Sequence, residues 1–251
     1  EPTLTTETGF HPRISELTSR TTEYNGYWLP TSFDNHGAID EYWACRERVA
    51  IMDLSPLRKF EVLGPDAEAL MQATVTRDVR RLADGHIVYT GMCNEAGGMI
   101  DDATIFRIAD TNFRFVGGSE YDGVWLREQA SRLGLNVFVK ESTDHLHNVA
   151  VQGPASRDLL KPIVWIPPSQ TPFESLDWFR FSVGRIGGPT GVPAVISRTG
   201  YTGELGYEIF CHPKDAPTVW DAIWEAGEKH GLTPLGLEAL DMLRIESGLV
   251  F

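Results

Sequence analysis

Two short stretches hold the residue types that chemistry requires. The first is Met99-Ile-Asp-Asp-Ala-Thr-Ile-Phe106. Neighbouring side chains in a strand point to opposite faces. Asp101 and Asp102 therefore cannot both meet solvent if the strand is covered on both sides. A buried carboxylate is costly unless it is paired or put to use. The pair reads either as a working carboxylate with its neighbour or as a half-wet cap near a hairpin mouth. The second stretch is Ser197-Arg-Thr-Gly-Tyr-Thr-Gly-Glu-Leu-Gly-Tyr-Glu208. Gly200, Gly203 and Gly206 recur every third residue, which is not the Gly-x-Gly-x-x-Gly spacing of a dinucleotide loop. It reads as strand, glycine-rich turn and strand. A tyrosine face stacks on a flat heterocycle, and a glutamate accepts two parallel hydrogen bonds from an amino-pyrimidine edge. An ordinary hairpin is the alternative. His145 and His147 alternate on one strand face and His212 follows Cys211, with no third ligand at a known spacing, so no metal site is expected. Neither a Gly-x-Ser-x-Gly elbow nor a Walker loop occurs.

These stretches need elements to hold them. Residues 1–38 read as an irregular entry with clustered aromatics. Ile39 to Ile51 has helical spacing. Lys59 to Leu63 reads as a strand, Gly64-Pro65 as a turn and Ala67 to Ala73 as a helix. Ile87 to Cys93 and Met99 to Ile108 form a hairpin about Gly97-Gly98. Phe113 to Val116 is a strand, Tyr121 to Leu133 a helix closed by Gly134, and Val137 to Lys140 a strand. The pattern then restarts. Ala150-Val-Gln-Gly-Pro-Ala-Ser156 repeats the layout of Glu61-Val-Leu-Gly-Pro-Asp-Ala67, which predicts two similar βαβ-type modules. Phe179 to Ile186, Ala194 to Ser197 and Gly206 to Cys211 read as strands. Ala216 to Glu228 and Leu237 to Leu249 read as helices.

Composition sets outer limits. The 251 residues suit two domains. At 42% hydrophobic and 23% charged, the chain can bury a sizeable core. No apolar run approaches the roughly 18 residues of a membrane span. The net charge of −13 disfavours a nucleic-acid backbone and is read as solubility. Cys45, Cys93 and Cys211 are odd in number and far apart, which fits a reducing, cytoplasmic setting. Glu1 to Phe10 is polar with no leader pattern, and trimming is expected from the absent initiator Met. The abrupt finish on an apolar run at Phe251 suggests truncation.

Taken together, the two stretches carry a family resemblance. Tyr89-Thr-Gly-Met-Cys-Asn-Glu-Ala-Gly-Gly-Met-Ile-Asp-Asp102 resembles the hairpin of the glycine-cleavage T-protein (aminomethyltransferase) family. Ser197 to Glu208 resembles its folate-site signature, and Gly236 to Glu246 the helix that follows. Order and spacing agree from about Gly26 to Phe251. The resemblance implies an α+β chain of two ferredoxin-like modules, with the family's C-terminal β-barrel domain missing. The expected division is a discontinuous first domain of residues 1–55 plus 142–251, and a second of 56–141 carrying the Asp-Asp hairpin. It implies tetrahydrofolate as cofactor, with Asp102 as the carboxylate beside its reactive nitrogens. Tyr89 would line the pterin pocket, Tyr201 and Glu208 would hold the folate, and Arg198 and Glu204 would support them.

Three departures bear on the reaction. Phe115-Val116-Gly117-Gly118 puts glycine where the family carries Asn. Asp53-Leu-Ser-Pro-Leu-Arg58 replaces Asp-x-Ser-His-Met, and Phe106 stands at a frequent tyrosine. A lost hydrogen-bonding group suggests a different one-carbon donor. The acidity also sits poorly with an acidic lipoyl carrier. Three readings stay open: aminomethyl transfer from a lipoyl carrier protein, folate-dependent demethylation of a small methylated metabolite, and a non-catalytic folate-binding module. Oligomeric state is not legible.

Overall fold

The computed structural model describes residues 4–250. Contacts divide the chain into two compact units: one holds the chain up to Ser55 with His145–Val250, the other Pro56–Asp144. In chain order the first unit begins with α1 (His11–Ile14), β1 (Thr21–Tyr24), β2 (Tyr27–Pro30), α2 (Gly37–Glu47) and β3 (Ala50–Asp53). The second unit is β4 (Arg58–Leu63), α3 (Ala67–Thr74), β5 (Ile87–Cys93), β6 (Met99–Ala109), β7 (Asn112–Gly117), α4 (Tyr121–Leu133) and β8 (Phe138–Glu141). The first then resumes with β9 (His147–Gln152), α5 (Ser156–Leu160), β10 (Val164–Trp165), β11 (Phe181–Ile186), β12 (Val192–Ser197), β13 (Gly206–Cys211), α6 (Ala216–Gly227), β14 (Thr233–Pro234) and α7 (Leu237–Glu246).

The second unit is a sheet in the order β5-β6-β7-β4-β8, every neighbouring pair antiparallel. β4 and β6 run parallel with β7 between them, and β7 and β8 flank β4 in the same way. This is the split βαβ of a ferredoxin-like fold with β5 added at the edge. Phe60, Val62, Ile105, Phe113 and Phe115 pack with Leu70, Met71 and Leu126 of the two helices into one core. Gly123 lets α4 approach β4, since a Cβ there would lie 2.3 Å from the Phe60 ring.

In the first unit the order is β10-β11-β12-β13-β9-β3-β14. The same motif recurs, β12-β13-β9 matching β6-β7-β4, with β3 inserted between β9 and β14. β9 and β13 are buried along their whole length, as central strands covered on both faces must be. Val149, Val151, Tyr207 and Ile209 join Val219, Trp220 and Ile223 of α6 in the main core. The repeat extends to the backbone: Gly64 and Gly153 each follow a strand, precede Pro and a helix, and hold φ of +133°. In both, a side chain would strike a backbone carbonyl, of Asn136 and of Arg48 respectively, at 2.6 and 2.5 Å.

The expected βαβ-type, ferredoxin-like modules are present, each parallel pair split by an intervening antiparallel strand. Two expectations are corrected. The helix expected over Ile39 to Ile51 ends at Glu47. Val49, Ala50 and Ile51 are apolar on every side because β3 is a buried strand, and a continuous apolar run does not reveal its period. The entry segment is also more regular than expected. Asn25 and Gly26, with φ of 50° and 84°, turn β1 into β2, as Asn-Gly does in tight hairpins.

Among the described residues no helix is long and apolar enough to cross a membrane. Burial pushes the Cys45 and Cys211 thiols up to about 12, whereas Cys93 is half-buried. A thiolate is the reactive form, so a maleimide reagent at pH 8 should label the folded protein at Cys93 alone. Mass spectrometry showing labelled Cys45 or Cys211 before unfolding would contradict this packing.

Candidate functional site

In the second unit the β5–β6 ladder sets Gly91 opposite Asp102, Met92 opposite Asp101 and Tyr89 opposite Thr104. Asn94 shapes the connecting loop, its Oδ1 accepting the Ala96 and Gly98 N–H groups at 3.0 and 2.9 Å. Alternation along β6 then separates the two carboxylates. Asp101 shares the face of buried Ala103 and Ile105, under the helices. Asp102 takes the other face, where the Tyr89 hydroxyl donates a short hydrogen bond to its Oδ2. Both aspartates are half-buried. Asp101 ties the backbone together: its Oδ1 accepts the Asp102 N–H at 2.9 Å and its Oδ2 the Gly118 N–H at 2.7 Å.

One acidic group here was not anticipated. Asp122, in the first turn of α4, is 0% exposed. Burial first, then the neighbouring Asp101 and Asp102 carboxylates, raise its pKa to about 8. No motif marks it; α4 brings it beneath β6. Gly117 makes room, since a Cβ there would lie 2.5 Å from Asp122 Oδ2 and 3.1 Å from Asp101 Oδ2.

In the first unit the glycine spacing has a mechanical cause. Gln152, 2% exposed, donates through Nε2 to the carbonyls of Thr199 (3.0 Å) and Tyr207 (3.3 Å) and accepts the Thr202 hydroxyl at 2.9 Å. A Cβ at Gly200 or Gly206 would collide with that carboxamide at 1.9 or 2.2 Å. Gly203 instead supplies the turn, with φ of +80°. The loop is thus wrapped around one buried glutamine that sequence reading had not singled out.

Glu208 faces Ser197 across the ladder and is 8% exposed. Thr199 donates to its Oε2 and Asn148 Nδ2 to its Oε1, the latter at 3.2 Å. Asn148 is wholly buried, and its Oδ1 has no hydrogen-bond partner. Tyr201 lines an apolar cleft with Met52, Leu54, Ala150, Leu235 and Leu240. Arg198 points to the Leu176 carbonyl at 3.2 Å. Glu204 receives Arg46 at 3.0 Å, and Arg46 also holds Glu246 at 2.8 Å and the Thr202 carbonyl at 2.6 Å. Arg198 and Glu204 therefore brace the loop. Asp53, at the start of the departing Asp53–Arg58 stretch, accepts Thr8 Oγ1 at 2.5 Å and the Ser55 N–H at 2.9 Å. Of the histidines, His147 is buried, accepts the Gly9 N–H at 2.9 Å and meets the Tyr27 ring edge-on. Among the described residues no cluster of three or more His, Cys, Asp or Glu could hold a metal ion.

Known proteins share this chain's sequence and fold. A trimethylamine-oxide aldolase of Ruegeria pomeroyi is 59% identical over 251 residues, 100% of this chain and 32% of that protein. An aminomethyltransferase of Anoxybacillus flavithermus is 36% identical over 245 residues, 96% of this chain and 64% of its own length. The crystal structure of glycine cleavage system aminomethyltransferase T from Bartonella henselae superimposes with a TM-score of 0.82 at 23% identity, covering 98% of this chain and 64% of that one. The chain thus spans about a third of the first relative and just under two thirds of the others. The profile described as GCVT N-terminal domain matches residues 10–251. The α+β architecture, the paired ferredoxin-like sheets and this match agree: the chain belongs to the GCVT N-terminal domain family.

Proposed function

We propose that the chain binds tetrahydrofolate and serves one-carbon transfer to it. The observation that carries this reading is the acceptor pair Glu208 and Asn148. A buried carbonyl oxygen without a donor is costly, and Asn148 Oδ1 lies beside a carboxylate that Thr199 and Asn148 already hold in place. A ligand edge rich in N–H groups, such as an amino-pyrimidine, satisfies both. Tyr201, in the same glycine-rich loop, offers a ring face on which a flat heterocycle stacks.

Tetrahydrofolate supplies the nitrogen nucleophiles that accept the one-carbon unit. Glu208 and Asn148 hold the donor edge of its ring, and Tyr201 covers a face. Asp102, oriented by Tyr89, stabilises positive charge that develops during transfer. As for the donor, the 59% identical relative is named for trimethylamine oxide and the 36% identical one for aminomethyl transfer. The greater identity favours a small methylated amine over an aminomethylated lipoyl carrier. The free thiols fit a reducing, cytoplasmic setting.

Calorimetric titration of tetrahydrofolate into the full chain tests this. Wild type should bind, and Glu208→Ala should weaken binding at least tenfold, about 1.4 kcal/mol. Equal affinity in the two proteins would remove Glu208 from the site. Product formation with trimethylamine oxide against an aminomethylated lipoyl carrier then decides the donor; binding without either product leaves a folate-binding module.

A further inference from the structure

Behind Asp102 lies a buried carboxyl that this reading does not use. Asp122 Oδ2 accepts the Ser119 N–H at 3.2 Å and lies against the Asp101 carboxylate. Its Oδ1 is buried and has no hydrogen-bond partner. An ionised Asp122 would leave a charged oxygen in the core with no donor, facing a second carboxylate that two backbone N–H groups already fill. A protonated Asp122 removes both costs, because its O–H donates to Asp101 and the orphan becomes a neutral carbonyl oxygen.

The charges that act on Asp122 most strongly are carboxylates: Asp101 faces it from β6, and Asp102, on the opposite face of that strand, adds its charge. β7 presents glycine at 117. On β4, Arg58 stands opposite Gly117 in the ladder, but its guanidinium holds Glu120 and Glu141. On α4 itself, Trp125 lies one turn on and leaves its own indole N–H unpaired, so it does not serve Asp122.

We infer that Asp122 is a positioning residue that carries a proton at neutral pH and donates it to Asp101, locking the strand beneath Asp102. Three elements meet at that proton: α4 through Asp122, β6 through the Asp102 N–H, and the turn after β7 through Gly118. Loss of the proton sets two negative charges side by side, and the corner that holds Asp102 loosens. The role assigned to Asp102 rests on the one-carbon reading, but the proton does not.

The sign of the pH effect follows from the raised pKa of about 8. The folded protein keeps a proton that the unfolded chain releases near the ordinary Asp value of 3.8. Stability from this group is therefore greatest in acid and falls as pH rises through the range between those values.

The experiment compares wild type, Asp122→Asn and Asp122→Ala as full chains. Infrared spectra at pH 7 should show the carbonyl stretch of a protonated carboxylic acid in wild type, lost above pH 9 and absent in Asp122→Asn. The asparagine N–H replaces the O–H, so its melting temperature should vary less between pH 5 and pH 9 than that of wild type; alanine should melt lower throughout. The single-turnover rate of one-carbon transfer to bound tetrahydrofolate should fall several-fold between pH 7 and pH 9 in wild type but not in Asp122→Asn. A missing acid band at pH 7, or one that survives in Asp122→Asn, overturns the inference whatever folate does. A band that titrates while wild type and Asp122→Asn keep the same transfer rate at pH 7 and pH 9 overturns the positioning role. Wild type that binds no folate at any pH overturns the one-carbon reading, and the infrared result still decides the proton.

Discussion

Asp102→Ala should lower the rate of one-carbon transfer to tetrahydrofolate by about 10²- to 10³-fold, the usual cost of one preorganised electrostatic group, with little change in folate affinity. The expectation follows from where β6 places the residue. Asp102 is half-buried on the face away from the helices, its backbone N–H is held by Asp101, and its carboxylate is oriented by the Tyr89 hydroxyl. A group held at both ends costs little reorganisation when charge develops beside it. Asp102→Asn separates charge from shape, because the amide oxygen still accepts from Tyr89. Single-turnover measurement with the donor that wild type uses would show the asparagine variant nearly as slow as alanine. An asparagine variant near wild-type rate would mean that hydrogen bonding, not charge, is what Asp102 contributes. Tyr89→Phe should show a smaller loss, because it frees the carboxylate without removing it.

The second large effect falls on stability. Gly206→Ala places a methyl 2.2 Å from the Gln152 carboxamide, and Gly200→Ala one at 1.9 Å. The glutamine cannot retreat without abandoning the Thr199 and Tyr207 carbonyls and the Thr202 hydroxyl. Each buried group left unpaired costs about 1–3 kcal/mol, so either variant should lose several kcal/mol. For a chain of this size that lowers the melting temperature by roughly 10 °C or more. The cycle with Gln152→Ala is decisive. Once the glutamine is gone the added methyl has space, so Gly206→Ala should be nearly silent in the Gln152→Ala background. Additive losses in the double variant would show that the glycine answers to something other than Gln152. The signature loop is thereby a stability element as well as a candidate ligand surface, since Tyr201 lies within it and Glu208 in the strand that follows.

Local patterns in the chain settled much of this architecture. Gly-Pro after a strand and before a helix, twice, exposed the internal repeat. The glycine at the end of α4 closed that helix with φ of 66°, and the Gly97-Gly98 turn aligned β5 with β6. Period-two alternation along β6 was enough to send Asp101 and Asp102 to opposite faces. These features are local: they depend on φ, on side-chain direction and on neighbours a few residues away. The ordinary strand β3 was hidden because a segment buried on both faces has no readable period. The insertion of β3 between β9 and β14 joins residues about a hundred positions apart on one side and about 180 on the other, and no local pattern encodes it. The same holds for the groups that set the chemistry. Gln152 acquires its role from a loop some fifty residues later in the chain, Asn148 from Glu208 on a neighbouring strand, and Asp122 from a helix that folds back under β6. Residue types and their alternation along the strands are properties of the sequence itself. Which buried polar group is left without a partner, and which carboxyl keeps its proton, was decided only when packing removed water from some groups and supplied donors to others.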